Sequence, residues 1–175
     1  MGGKKAASEK TLIKTKFNRT RNDLPEKMRH KMIEILNQQL ANAFDLNSQI
    51  KQAHWNIKGP NFIALHEFFD KAAKEIRGYV DEIAERAVQL GGLALGTARV
   101  AADLSELPEY PLDITKSSDH VQALSRALST FGKSVRTAIE TTSEAGDADT
   151  ADLLTQVSRG SDKLLWMVEA HNEPG

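Results

Sequence analysis

Four residues within one stretch, His66, Asp70, Asp81 and Glu85, have the types and spacing to bind a metal. On a helix, at about 100° per residue, Asp70 lies about 40° from His66, Asp81 about 60° and Glu85 about 100°, so all four share one face. Along the axis they form two groups, His66 with Asp70 and Asp81 with Glu85, each one turn deep. The rise from Asp70 to Glu85 is roughly 22 Å, too far for one metal centre. Two copies packed antiparallel about a two-fold axis resolve this: the His66/Asp70 end of one faces the Asp81/Glu85 end of the other, giving two equal sites per pair. His54, closing the preceding helical segment, adds a second imidazole. Imidazoles with three carboxylates suit ferrous iron and leave a position for an oxidant. Glu-x-x-His, the signature of a di-iron centre inside a single bundle, is absent from the chain, which argues against an intrasubunit centre. A plainer reading stands beside this one. Asp70 with Lys74 and Arg77 with Asp81 are spaced i,i+4 as surface ion pairs, and a lone histidine near apolar residues is usually structural. Against it, Asp81 and Glu85 are like charges at i,i+4, which costs helix stability unless a cation compensates.

The elements that must position these residues read as long helices. Asn22 or Asp23 caps the first, with Pro25 and Glu26 in its first turn. Met32, Ile35, Leu36, Leu40, Ala43, Leu46, Asn47, Ile50 and His54 carry its periodicity to about Trp55, and Lys58-Gly59-Pro60 breaks it. The second runs from about Phe62 to Leu90 and ends at Gly91-Gly92. In the linker that follows, Leu95–Leu104 has room for a short helix, and Pro108 and Pro111 break the rest. The third starts near Ser117 or Ser118 and stops at Gly146; the fourth starts at Asp147, Asp149 or Thr150. The expected fold is all-α, a ferritin-like four-helix bundle with a short helix in the crossover between helices 2 and 3. The bundle spans 23–171, between an N-terminal arm of residues 1–22 and a tail of residues 172–175.

Bulk properties agree. The chain has 175 residues, 40% of them hydrophobic, enough for one domain with a real core. It has no cysteine, so any metal site draws on His, Asp or Glu. No apolar run reaches membrane-spanning length, and no apolar stretch follows Lys4 and Lys5 as in a secretory signal, so a cytoplasmic protein without a membrane partner is expected. The net charge of −1 hides an asymmetry. Lys4, Lys5, Lys10, Lys14, Lys16, Arg19 and Arg21 oppose Glu9 alone within residues 1–22, a net of +6, and the remainder carries −7. Basic arms suit polyanions, and acidic bodies suit cations.

His54-Trp55-Asn56-Ile57-Lys58-Gly59-Pro60-Asn61-Phe62-Ile63-Ala64-Leu65-His66-Glu67 resembles the signature of the Dps family, the DNA-binding proteins from starved cells. Glu85–Gly92, Tyr110–Ile114, Asp149–Asp152 and Asp162–Trp166 are similar to further family segments, and the likeness runs from about Asn22 to Glu169. The resemblance implies a homododecameric shell of tetrahedral symmetry. It places ferroxidase ligands on His54, His66 and Asp70 of one subunit and on Asp81 and Glu85 of its two-fold neighbour. It further implies ferrous iron as substrate, hydrogen peroxide in preference to dioxygen as oxidant, and ferric oxide stored inside. Trp55 would lie beside the site as an electron donor or radical trap, or serve as an interface aromatic. Asp152 would line an iron-entry pore at the start of the fourth helix, with Asp147 and Asp149 as caps. Lys74 and Arg77 fall between the two ligand groups as neighbouring charges. His30, His120 and His171 match no ligand position, His171 reads as electrostatic near a helix C-terminus, and Trp166 as packing.

The arm, Lys4 through Arg21, resembles the lysine-rich tails that bind DNA in part of the family. It reads as mostly disordered, contacting phosphates without sequence preference, or else as a solubilising or subunit-docking tail. DNA binding implies a nucleoid-associated protein. The leading function is a peroxide-dependent ferroxidase with storage. A non-catalytic architectural protein that compacts DNA is the alternative, and a four-helix interaction domain without metal is a third.

Overall fold

The apolar periodicities do become helices. The computed structural model describes residues 16–171; among these lie five helices and, apart from one isolated bridge between Lys58 and Lys116, no strand pairing. The helices are α1 (Glu26–Asn56), α2 (Phe62–Gln89), α3 (Ala98–Leu104), α4 (Ser117–Ala145) and α5 (Ala148–Glu169). α1 packs most extensively on α2 and α4 on α5, with α1 against α4 joining the pairs. The short α3 sits in the long crossover and packs on α1. This is the expected all-α bundle. Its core is continuous: Leu36, Leu40 and Ile50 of α1 join Leu65, Phe69, Ile76 and Ile83 of α2, Leu124 and Phe131 of α4, and Leu154 of α5. Asn47, on the predicted stripe of α1, is half-buried because its side chain donates to the Ala73 carbonyl at 2.6 Å, pinning α1 to α2.

One boundary expectation needs correction. α1 begins at Glu26, with Pro25 in the capping position and no side-chain cap. Asn22 instead accepts from the Leu24 N–H at 3.0 Å, forming a turn one step before the helix. The last described residues of the arm are held to the body. The Phe17 ring stacks on His30 at 3.5 Å, and the Asn18 N–H donates to the Gly91 carbonyl at 2.7 Å. The reason lies at the end of α2, whose last carbonyls lack helical partners. Arg29 satisfies the Leu90 carbonyl at 2.9 Å and Asn18 the next one. Gly91 permits this approach: its φ is +90°, and a Cβ would stand 2.8 Å from the Asn18 oxygen. Lys4, Lys5, Lys10 and Lys14 lie outside the described residues.

Candidate metal centre

Five residues separate α1 from α2, and the tightness of that turn brings the two histidines together. Ile57 is extended and 2% exposed, ending α1, and Gly59 turns the chain at φ +120°. The His54 and His66 rings then stack with centroids 3.8 Å apart. His54 Nδ1 lies 2.8 Å from the His66 carbonyl, and His66 Nδ1 lies 2.9 Å from the His54 carbonyl. A carbonyl can only accept, so each Nδ1 carries the hydrogen, and in the neutral ring each Nε2 keeps its lone pair. Backbone bonds of this kind orient metal-binding imidazoles. Phe62 packs against His66 at 5.1 Å.

One turn beyond His66, Asp70 faces the same place: His54 Nε2 is 3.9 Å from Asp70 Oδ1. The Asp70–Lys74 pair of the plainer reading does not form among the described residues. Asp70 bonds instead to Lys51 of α1, Nζ to Oδ1 at 2.7 Å. That hydrogen bond and the ammonium charge hold the Asp70 carboxyl below the usual carboxylate range. Lys51 was not singled out by spacing within α2, because its partner lies on another helix; its one local signal is Trp55 four residues on, whose ring is 5.5 Å from the Lys51 ammonium.

Asp81 and Glu85 lie exposed on the same helix, farther along. The Arg77–Asp81 pair does not form either: no ion pair or hydrogen bond engages Lys74, Arg77, Asp81 or Glu85 among the described residues. Nor do three His, Asp or Glu side chains gather into one metal-holding cluster within the described chain. The fold brings His54, His66 and Asp70 to one end of α2 and leaves Asp81 and Glu85 apart from them.

Residues 33–173 match the ferritin-like domain family. A DNA protection during starvation protein from Agrobacterium fabrum is 46% identical over 156 residues, 89% of this chain and 96% of its own length. The chain belongs to the Dps family. Its fold agrees: Mycobacterium smegmatis Dps matches with a TM-score of 0.86 at 31% identity over 91% of each chain. DpsC from Streptomyces coelicolor matches with a TM-score of 0.87 at 29% identity, over 91% of this chain and 93% of its own. Dps from Vibrio cholerae, described as belonging to a superfamily of ferritin-like diiron-carboxylate proteins, matches at 0.81 and 26% identity.

In this Dps chain Trp55 is 67% exposed. With Lys51, Arg77, Tyr110 and Leu112 it lines a groove of about 750 Å³ between α1 and the crossover. The acidic start of α5 divides its labour. Asp147 caps the helix, accepting from the Thr150 N–H at 3.0 Å, and is buried against Arg86 at 2.8 Å. Asp149, expected as a cap, is not one; it stands exposed, 3.9 Å from Arg86. Asp152 is exposed. Arg86, adjacent to Glu85, thereby ties the end of α2 to the start of α5, a link invisible to spacing within either helix. His30 lies under Phe17 and His171 bonds the Met167 carbonyl at 2.7 Å. Trp166, expected as packing, is 66% exposed.

Proposed function

We propose that this chain is a ferroxidase subunit of a dodecameric mini-ferritin: an enzyme that oxidises ferrous iron with hydrogen peroxide, stores the ferric product in the shell and protects DNA. Iron is the substrate. Two ferrous ions give one electron each to one peroxide, which takes up two protons and leaves as two waters. The reading is carried by the reciprocal His54/His66 ring-to-carbonyl bonds, which leave two imidazole lone pairs beside Asp70 while Asp81 and Glu85 have no partner among the described residues.

The face of α2 supports sharing between two copies. About a midpoint between Glu75 and Ile76, its residues mirror one another in chemistry: Lys74 and Arg77, Asp70 and Asp81, His66 and Glu85, Ile63 and Val88 stand at equal distances. The outermost two are large apolar residues left 62% and 53% exposed. An antiparallel pair in this register sets each His66/Asp70 against the neighbour's Asp81/Glu85 and closes each site with an apolar contact. Two imidazoles and three carboxylates then surround each site, a donor set that suits ferrous iron. Trp55 beside it is the candidate electron donor, and Asp152 a candidate pore residue.

The test compares initial rates of ferrous oxidation by peroxide in the assembled wild type, His54→Ala and Asp81→Ala. Both variants lose at least about tenfold, since even outer-shell changes at metal sites cost about 10–100-fold. Wild-type kinetics in both would remove the proposed site. Loss in His54→Ala alone would restrict it to one subunit.

A further inference from the structure

The crossover before α4 carries a buried polar pair outside the metal centre. Tyr110 is 8% exposed and His120 1%, and the Tyr110 hydroxyl lies 2.6 Å from His120 Nδ1. The other ring nitrogen, Nε2, is buried with no partner in good hydrogen-bond geometry. The ring lies against the backbone of Asn56, the last residue of α1. A buried nitrogen left unsatisfied is costly, and one arrangement serves every group present. Tyr110 donates its O–H to Nδ1, so Nε2 carries the hydrogen and calls for an acceptor, which the neighbouring Asn56 backbone offers in a carbonyl among the last of α1.

The same stretch of α4 grips the turn that follows. Lys58 bridges to Lys116, and the Ser117 hydroxyl donates to the Lys58 carbonyl at 2.8 Å. A Cβ on Gly59 would stand 2.9 Å from Ser117 Oγ, so the turn lies directly on the helix start. The end of α1, the turn and the start of α4 thus form one clamp, two residues from His54. Tyr110 also lines the groove that holds Trp55.

We propose that Tyr110 and His120 are positioning residues that fix the last turn of α1, and through it the orientation of His54 and Trp55 for metal binding. This rests on the reading of His54 as an iron ligand.

The test uses the assembled full-length protein, freed of metal and titrated with Co²⁺ alone. Co²⁺ binding is followed by visible absorption, and Trp55 emission is read in a Trp166→Phe background. Tyr110→Phe removes one oxygen, His120→Leu removes both nitrogens, and His120→Gln supplies an acceptor for Tyr110 and a donor for Asn56. Tyr110→Phe and His120→Leu are expected to weaken Co²⁺ binding by about tenfold and to shift Trp55 emission at unchanged assembly size. His120→Gln is expected to return both readouts toward wild type. Wild-type affinity and emission in Tyr110→Phe overturn the proposal, as does a His120→Gln protein no better than Tyr110→Phe. These two variants decide the matter even if His120→Leu fails to assemble. His54→Ala tests the underlying reading separately. Unchanged Co²⁺ binding there removes the metal site, and Trp55 emission alone then judges the positioning role.

Discussion

At the scale of single residues, Lys51 has the most direct electrostatic hold on the candidate iron site. Its ammonium sits 2.7 Å from an Asp70 oxygen, where a divalent cation would otherwise draw the carboxylate. It acts in two opposed ways. By holding the Asp70 carboxyl below its ordinary range it keeps the group charged to lower pH. The associated stabilisation is present above the ordinary carboxylate pKa and is lost as pH falls through the lowered one. By occupying the oxygen, it also competes with metal. Because Asp70 is exposed, solvent screens the pair and the effect on folding is small. The competition is therefore the measurable part. Lys51→Met is expected to bind Co²⁺ several-fold more tightly than wild type at neutral pH, in an equilibrium titration of the assembled protein. Weaker binding would mean that Lys51 orients Asp70 rather than competing for it.

At the scale of elements, the junction between α2 and α5 stands out. Asp147 is at once the cap of α5, a partner of Arg86 and an acceptor from the Thr150 hydroxyl at 2.6 Å. Its side chain is 1% exposed and that of Arg86 11%. Removing one member of a buried pair strands the other charge, at a cost of about 3–5 kcal/mol, and the lost cap adds about 1 kcal/mol. Asp147→Ala is expected to lower the denaturation midpoint sharply, in thermal or guanidinium unfolding at fixed protein concentration. Asp149→Ala, at an exposed position, is expected to change it little. Equal effects would show that helix-dipole compensation, rather than the buried pair, dominates this end of α5.

At the scale of the whole molecule, charge is divided between a basic N-terminal arm and an acidic body. No described helix is long and apolar enough to cross a membrane. Lys16, Arg19 and Arg21 are exposed, yet Phe17 and Asn18 beside them are anchored to the body. DNA contact, if the arm provides it, starts from a fixed root. In a gel-shift titration on plasmid DNA, the full chain is expected to retard DNA, with binding weakening steeply as salt rises. A chain lacking residues 1–22 is expected not to, and a chain lacking residues 1–15 separates the four N-terminal lysines from Lys16, Arg19 and Arg21. Retardation by none of them at low salt would leave protection to iron and peroxide removal alone. In the proposed dodecamer, twelve arms on one shell would multiply weak phosphate contacts through effective concentration.

Helical periodicity, the Gly91-Gly92 and Gly146 stops and the length of the crossover were enough to read four long helices and their order, because each signal is local to its own element. Spacing along α2 likewise placed His66, Asp70, Asp81 and Glu85 on one face and showed that one chain holds them too far apart for one centre. What the tertiary structure alone decided are relations between elements distant in sequence. Lys51 takes Asp70 away from Lys74, and His54 and His66 orient each other through the tight turn. Arg86 reaches across to Asp147, and Asn18 finds the open carbonyl of Gly91. The physical reason is the same in each case. A side chain's partner is chosen by whichever donor or acceptor the packing of another helix brings within about 3 Å, and no periodicity within one helix encodes that distance.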